Sequence, residues 1–346
     1  MNVAPRETLV VAGRTVALAY EDPSREYAAL RDACGAVRRD ERARWVFAGD
    51  KAGETLGGLV TNDVEALTPG TGCYAAALTP KGRIVADIRV LRREDDFLID
   101  VASRASAGWG ELVRKYVNPR LAKIADVSEA TSCIGVYGPR CVTLLARTSD
   151  ADATILSALQ PFHHVASVIA GRPARIVRSP DFGGVGFDVI LSVEDTDAVF
   201  DAWLNAGARA VGLAAADIAR VEAGRPEWGI DMDDQTIPQE ANLESLHAIS
   251  YTKGCYTGQE VVARVHFRGH VNRHLCGLAA DHALPPRATV ALGDRTEVGD
   301  VRSSVVSPKF GAIALAMIRR EIATGDEVVV RDGDHEHAAR VLSLPF

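Results

Sequence analysis

The chain has no C-x-x-C pair: its six cysteines, Cys34, Cys73, Cys133, Cys141, Cys255 and Cys276, are scattered over 346 residues. That spacing signals neither a zinc site nor a disulfide framework, and it suits a reducing compartment. No block of Lys and Arg stands out, and the formal net charge is -7, so a surface built to neutralise a nucleic-acid backbone is not indicated. No stretch approaches the ~18 apolar residues of a membrane span, and the opening MNVAPRETLVVAG has neither a basic start nor a long apolar core. These absences predict a cytoplasmic protein that engages neither membrane nor nucleic acid. An anionic small ligand is still compatible, because local Arg, Lys and backbone N–H groups can hold one inside an acidic chain.

What is present is an ordinary globular composition, 47% hydrophobic and 25% charged with 30 Gly and 15 Pro, on a chain long enough for two or three domains. Between 45 and 101 the pattern predicts a short helix capped by Asp50 and running to about Val60, then an antiparallel meander. Its strands are GCYAAALT, RIVADIRVLRR and FLIDV, turned by PKG and EDD. A similar order recurs with strand CIGVYGPR, helix CVTLLARTSD, strands RIVRS and GFDVILS, and the amphipathic helix EDTDAVFDAWLNAG, which carries acids in its first turn and Gly207 at its end. From about residue 270 six short strands separated by turns predict a small barrel or sandwich. The fold class expected is α+β with antiparallel sheets, divided as 1–260 (two α+β subdomains) and 261–346 (C-terminal β-barrel).

The stretch KGCYTGQE, residues 253–260, carries the densest chemistry. Thr257 and Glu260 spell a capping box ahead of VVARVHF, so Cys255 is expected just outside a helix N-terminus, with Lys253 two residues away. Both features favour a thiolate. Spacing alone favours a glycine turn in which Cys255 packs as a small hydrophobe. Glu222 is predicted near the end of a helix closed by Gly224, on the wrong side of the helix dipole, where N–H donors from a heteroaromatic ligand or a surface arginine would compensate it. In RIVADIRVLRR, alternation places Asp87 with Arg89 on the face opposite Ile84, Ala86, Ile88 and Val90, either as a functional carboxylate or as a solvated pair. Asn62 and Tyr74 fit a turn and a core position as well as a site. His266, His270 and His274 stand four apart, but Gly269 interrupts the helix they would share, so no metal site is predicted. The basic run around them reads as a wall for a polyanionic tail or as a solvated connector.

Together these residues resemble the YgfZ family of folate-binding proteins, relatives of the T-protein (aminomethyltransferase) of the glycine cleavage system. Lys253, Gly254, Cys255, Tyr256, Gly258, Gln259 and Glu260 match the signature K-G-C-[FY]-x-G-Q-E. LVTNDVEALTPGTGCYAAALTPKGRIVADI, RVEAGRPEWGID and VGDVRSSVVSPKFGAIALAMI are similar to further T-protein segments. The resemblance implies a cloverleaf of two intertwined α+β units and a barrel around a central cavity that receives tetrahydrofolate. By carry-over, Glu222 would meet the pterin N–H groups and Asp87 would take the catalytic carboxylate position. Asn62 and Tyr74 would join them in folate binding, and Lys253 with Cys255 would form the functional pair. Cys255 stands where the T-protein has an acid, Ala86 replaces one of its two aspartates and Arg302 one of its threonines. The role implied is therefore a tetrahydrofolate-binding accessory factor for iron–sulfur cluster assembly or repair, with a conditionally reactive Cys255 and with iron–sulfur proteins or their assembly factors as partners. The alternatives are a folate-dependent aminomethyltransferase or a folate-independent scaffold. All of these place Asp87, Glu222 and Cys255 around one hollow.

Overall fold

In the computed structural model, which describes residues 3–293 and 296–346, the predicted meander is present. Strands Gly72–Leu78, Ile84–Arg92 and Asp96–Ala102 pair in sequence, and Arg42–Ala48 and Lys123–Asp126 extend them to a five-stranded antiparallel sheet. One face of this sheet is covered by the helix Ser103–Tyr116, whose Ala105, Trp109, Leu112 and Val113 recur at helical spacing and pack on Ala86, Ile88, Val90 and Ile99. The other face is buried too. Tyr74, Ala76, Leu91 and Leu98 meet Cys133, Val177 and Ile190 of a second sheet, so the face that carries Asp87 is an interface and not a solvated surface.

The second sheet has six strands in the order His164–Ile169, Arg172–Arg178, Gly186–Ser192, Thr131–Tyr137, Gly35–Arg38, Arg209–Val211, with only the last pair parallel. Its topology explains the intertwining. The chain lays down Gly35–Arg38, leaves to build the whole five-stranded sheet, and returns at Thr131 beside the strand it had left. The third part is a closed six-stranded barrel: Arg273–Ala280 pairs with both Gly311–Arg319 and His335–Leu342, which leaves no free edge. The helix Gln259–Arg268 before it buries Val262 in the core shared by the two sheets. No helix among the described residues is long and apolar enough to cross a membrane.

Two local expectations are corrected. Asp50 does not cap a helix: the helix is the shorter Ala52–Gly57, entered through Lys51 without a side-chain cap, its first N–H Ala52 being bonded to the Gly49 carbonyl. Nor do Thr257 and Glu260 form a capping box. The helix Gln259–Arg268 is entered through Gly258 at φ +83°, and the Thr257 hydroxyl turns away toward Gly58 O. The N-cap position is taken by Gly258, which has no side chain to offer the N–H groups, and Thr257 lies one residue before it. The glycine is required for a second reason, since a Cβ there would stand 2.6 Å from Thr79 O.

His164 lies buried on an edge strand with Arg175 donating to its Nδ1 at 2.9 Å. Burial, reinforced by the Arg175 charge, pushes its pKa down to about 4. The unfolded chain therefore binds a proton between about pH 6.5 and 4 that the native chain refuses, and stability is lost as pH falls through that window, by at most about 3 kcal/mol. His164→Gln is expected to flatten this part of a urea-stability profile against pH.

Candidate functional site

Where the two sheets and the helix Leu213–Glu222 converge, a cavity is lined by Tyr74, Asp87, Arg89, Phe162, Arg225 and Trp228, with Arg39, Glu41, Arg42, Asp181, Phe182, Arg220 and Glu227 completing its wall. Asp87 reaches it from the strand Ile84–Arg92, 6% exposed. The Tyr74 hydroxyl donates to Asp87 Oδ2 at 2.9 Å, while Oδ1 has no hydrogen-bond partner among the described residues. Burial raises the Asp87 pKa, opposed by the Arg42 charge and the Tyr74 hydrogen bond. Tyr74 in turn stacks on Phe162, with centroids 5.9 Å apart and planes at 17°.

Behind Asp87 lies a buried ion network that fixes the floor of the cavity. Arg89 pairs with Asp188 and lies 3.3 Å from Asp100 and Asp181, Arg39 bonds Glu41 at 2.6 Å and the Tyr137 hydroxyl at 2.9 Å, and Arg42 pairs with Asp100. Asp181 is held well below the usual carboxylate range by Arg89 and Arg39 in spite of burial. Glu227, paired with Arg104, is the opposite case: burial pushes it up to about 7 against the pull of Arg220 and Arg104. Among the described residues twelve buried side-chain polar atoms lack a hydrogen-bond partner, and four of them, Asp87 Oδ1, Glu41 Oε2, Trp228 Nε1 and Arg89 Nη2, the last still within ion-pair distance of Asp100 and Asp181, belong to residues lining this one cavity. Buried polar atoms are normally satisfied, so a cluster of acceptors and donors left open against aromatic walls marks a place shaped for a polar, flat ligand.

The expected residues are not brought together in one hollow. Asp87 and Tyr74 share the cavity, whereas Glu222 lines a neighbouring recess with Tyr27, Arg31, Phe310 and Phe346. Its carboxylate is already taken: the Tyr27 hydroxyl donates at 2.7 Å, the Ser307 hydroxyl donates to the same oxygen, and Arg31 pairs with the other. The donors that offset its place at a helix C-terminus are thus the protein's own. With Arg220, which donates to Ser303 Oγ at 2.7 Å and to Asp231 at 2.8 Å, Glu222 ties this helix to the barrel strand Thr296–Ser307. Asn62 also lies outside the cavity; its Nδ2 donates to Tyr74 O and His247 O, both at 2.8 Å, so it clamps the strand that carries Tyr74.

Cys255 is exposed and lines neither the Asp87 cavity nor the Glu222 recess. It stands a turn ahead of the helix Gln259–Arg268. Lys253 points the other way, into the protein, where its Nζ donates to Gly57 O, Val60 O (2.8 Å) and Asn62 O (3.0 Å). Tyr256, buried at 7% exposure, lies under that ammonium at 5.2 Å. The signature therefore builds a rigid loop that is pinned by its lysine and tyrosine and leaves its thiol in solvent. Four of the other five cysteines are buried and Cys73 is half-buried. Native protein is expected to release one fast equivalent with Ellman's reagent, and Cys255→Ser is expected to remove it. Of the three histidines, His266 stacks on Tyr251 at 3.7 Å and bonds Glu244 at 2.8 Å.

Sequence reasoning missed Arg225, Glu227 and Trp228. The signal was there in the run RPEW directly after Gly224, polar and aromatic where a closing turn needs neither. Phe162 and Asp181 gave no such signal, since each lies in a loop whose approach to Asp87 only folding creates.

Comparison with known proteins agrees with this architecture. Residues 10–250 match the GCVT N-terminal domain and residues 273–346 the glycine cleavage T-protein C-terminal barrel domain. Aminomethyltransferases of Nostoc sp. and Geobacillus kaustophilus are each 28% identical, over 93% and 98% of this chain and 87% and 94% of theirs. The crystal structure of glycine cleavage system aminomethyltransferase T from Bartonella henselae superposes with a TM-score of 0.87 at 23% identity, covering 98% of this chain and 93% of that one, a likeness of fold. With both of its parts matched in order, the chain belongs to the glycine cleavage T-protein family.

Proposed function

We propose that this chain binds a reduced folate in the cavity around Asp87 and handles a one-carbon unit there, as an aminomethyltransferase would. The observation that carries the reading is Asp87 Oδ1, a buried acceptor with no hydrogen-bond partner among the described residues, on a residue that lines a cavity walled by Tyr74, Phe162, Phe182 and Trp228. A tetrahydrofolate fits that donor set. Its ring can lie against the aromatic side chains, its N–H groups can reach Asp87 Oδ1, and its carbonyl can take the open N–H of Trp228. Bound, it supplies a nitrogen that accepts or gives up the one-carbon group. Asp87 orients that nitrogen, and because burial raises its pKa it can take the proton the nitrogen sheds. Glu227 is a further carboxylate of the cavity in this reading, while Glu222 holds the barrel. The test is a purified assay with tetrahydrofolate and an aminomethylated carrier protein: methylenetetrahydrofolate should form. Reduced-folate binding without any turnover would count against transfer and leave binding standing.

A second reading, an accessory role in iron–sulfur cluster assembly or repair, draws on a different observation: Cys255 is solvent-exposed on a loop whose Lys253 is hydrogen-bonded to backbone carbonyls and whose Tyr256 is buried. Because the thiol lies outside the cavity, its chemistry would be directed at another protein and not at the folate. Cells carrying Cys255→Ala should then lose cluster-enzyme activity while folate binding is unchanged. Normal cluster enzymes in those cells would remove this role.

A further inference from the structure

The helix Gln259–Arg268 is buried on one side only. Val262 enters the core shared by the two sheets, while Glu260, Arg264, Phe267 and Arg268 recur at helical spacing on the opposite side and are exposed. None of them lines the Asp87 cavity or the Glu222 recess. Phe267 is 67% exposed, yet its ring is held in place. It meets His266 edge-on at 4.7 Å and Tyr251 at 6.0 Å, Tyr251 stacks on His266 at 3.7 Å, and His266 is fastened to Glu244 at 2.8 Å. The guanidinium groups of Arg264 and Arg268 on either side of it have neither an ion pair nor a hydrogen bond among the described residues, and Glu260, the acid of the stripe, bonds neither of them. Arg320 is a third unpaired and exposed arginine beside the end of this helix, its backbone N–H bonded to Asn272 O at 3.0 Å.

We infer that this stripe is a docking surface for an acidic protein segment, whose carboxylates take Arg264 and Arg268 and whose apolar side chains cover Phe267. Protein interfaces concentrate their binding energy in aromatic and arginine anchors. An aromatic ring already ordered by Tyr251 and His266 loses little rotamer freedom on docking, and each guanidinium offers a carboxylate paired, charge-assisted hydrogen bonds. The sign of the charge selects the partner. A chain of net charge -7 repels acidic proteins as a whole, so unpaired arginines fix where one can land. The number of those arginines decides against other polyanions. A nucleic acid is held firmly by roughly 6–10 phosphate contacts, and an anionic bilayer by clusters of about 4–8 Lys and Arg, whereas an acidic segment with an apolar side chain needs only the pair that brackets Phe267. The surface goes beyond the folate reading. It supplies the protein contact that the Cys255 reading requires, just behind that thiol along the chain, and rests on neither reading.

The experiment is fluorescence anisotropy at low ionic strength with labelled probes: a synthetic peptide of Glu and Asp with Leu at every fourth position, the same peptide with Ser for each Leu, and a single-stranded oligonucleotide of equal charge. Flotation with phosphatidylserine vesicles adds the lipid arm. Wild type should bind the Leu peptide more tightly than any other probe. The double variant Arg264→Glu with Arg268→Glu should weaken that peptide at least tenfold, the size of one lost charge-assisted bond. Phe267→Ser should bring the Leu peptide down to the affinity of the Ser peptide and leave the Ser peptide unchanged. Thermal melts identify a variant that has lost its fold, and Arg264→Gln with Arg268→Gln, which reverses no charge, then carries the comparison. Titration with 5-formyltetrahydrofolate should give the same result in wild type and every folded variant. Wild type that ignores the Leu peptide, binding that survives both changes, or tighter capture of oligonucleotide or vesicles overturns the docking surface and leaves the folate reading as it was. Wild type that takes the peptide through Arg264, Phe267 and Arg268 but binds no folate overturns the folate reading alone.

Discussion

Asp87→Asn is expected to lower folate-dependent one-carbon transfer by about 10²- to 10⁴-fold, the range associated with removing a positioned general base, with the chain still folded. The asparagine carbonyl can still accept the Tyr74 hydroxyl that Asp87 Oδ2 accepts at 2.9 Å, so the change removes charge and basicity and little shape. The pH profile separates a chemical role from a packing one. Burial raises the Asp87 pKa, so the wild-type rate should fall on the acid side at a pH above the ordinary carboxylate range, as the carboxylate takes up its proton. In the asparagine variant the residual rate should lack that acid limb. A variant with unchanged turnover, or one that keeps the limb, would move the chemistry to another group.

Lys253→Met is expected to cost about 2–4 kcal/mol in stability, read from urea unfolding. Its Nζ satisfies three carbonyls, Gly57, Val60 and Asn62, at the end of a helix and in the turn that follows it, and the methionine would leave them buried without a donor. The pH dependence has a sign that can be checked. Burial pushes the Lys253 pKa down to about 8, with Asp63 and Glu65 pulling it back up. Between about pH 8 and 10.5 the unfolded chain therefore binds the proton that the native chain has released, and stability should rise with pH across that interval. Lys253→Met should lose that slope. Reduced-folate binding should survive the change, because the lysine is not part of the cavity wall.

The fold was legible in the sequence where periodicity was strong. The meander at 72–102, the helix after Asp195 and the six barrel strands all follow from alternation, helical spacing and turn residues, and each is found at those positions. Asp87 shows where that legibility stops. Alternation places it opposite Ile84 and Ala86, but whether that face meets water or a second sheet depends on Thr131–Tyr137 and Gly186–Ser192 closing over it. Glu222 shows a different limit. Its position at a helix end correctly demands donors, yet the demand does not say whose, and Tyr27 and Ser307 supply them from 195 and 85 residues away. At Cys255 the capping motif was read in register with the wrong residue, because Gly258 can adopt the left-handed entry that a T-x-x-E pattern does not reveal.

Binding of a reduced folate in the Asp87 cavity, apart from the thiol, is tested most directly by isothermal titration of 5-formyltetrahydrofolate into wild type, Cys255→Ser and Asp87→Asn. One site per chain is expected, with the same affinity when Cys255 is changed and a loss of at least tenfold when Asp87 is changed. No heat with wild type, or an affinity that follows Cys255 and ignores Asp87, would contradict the account.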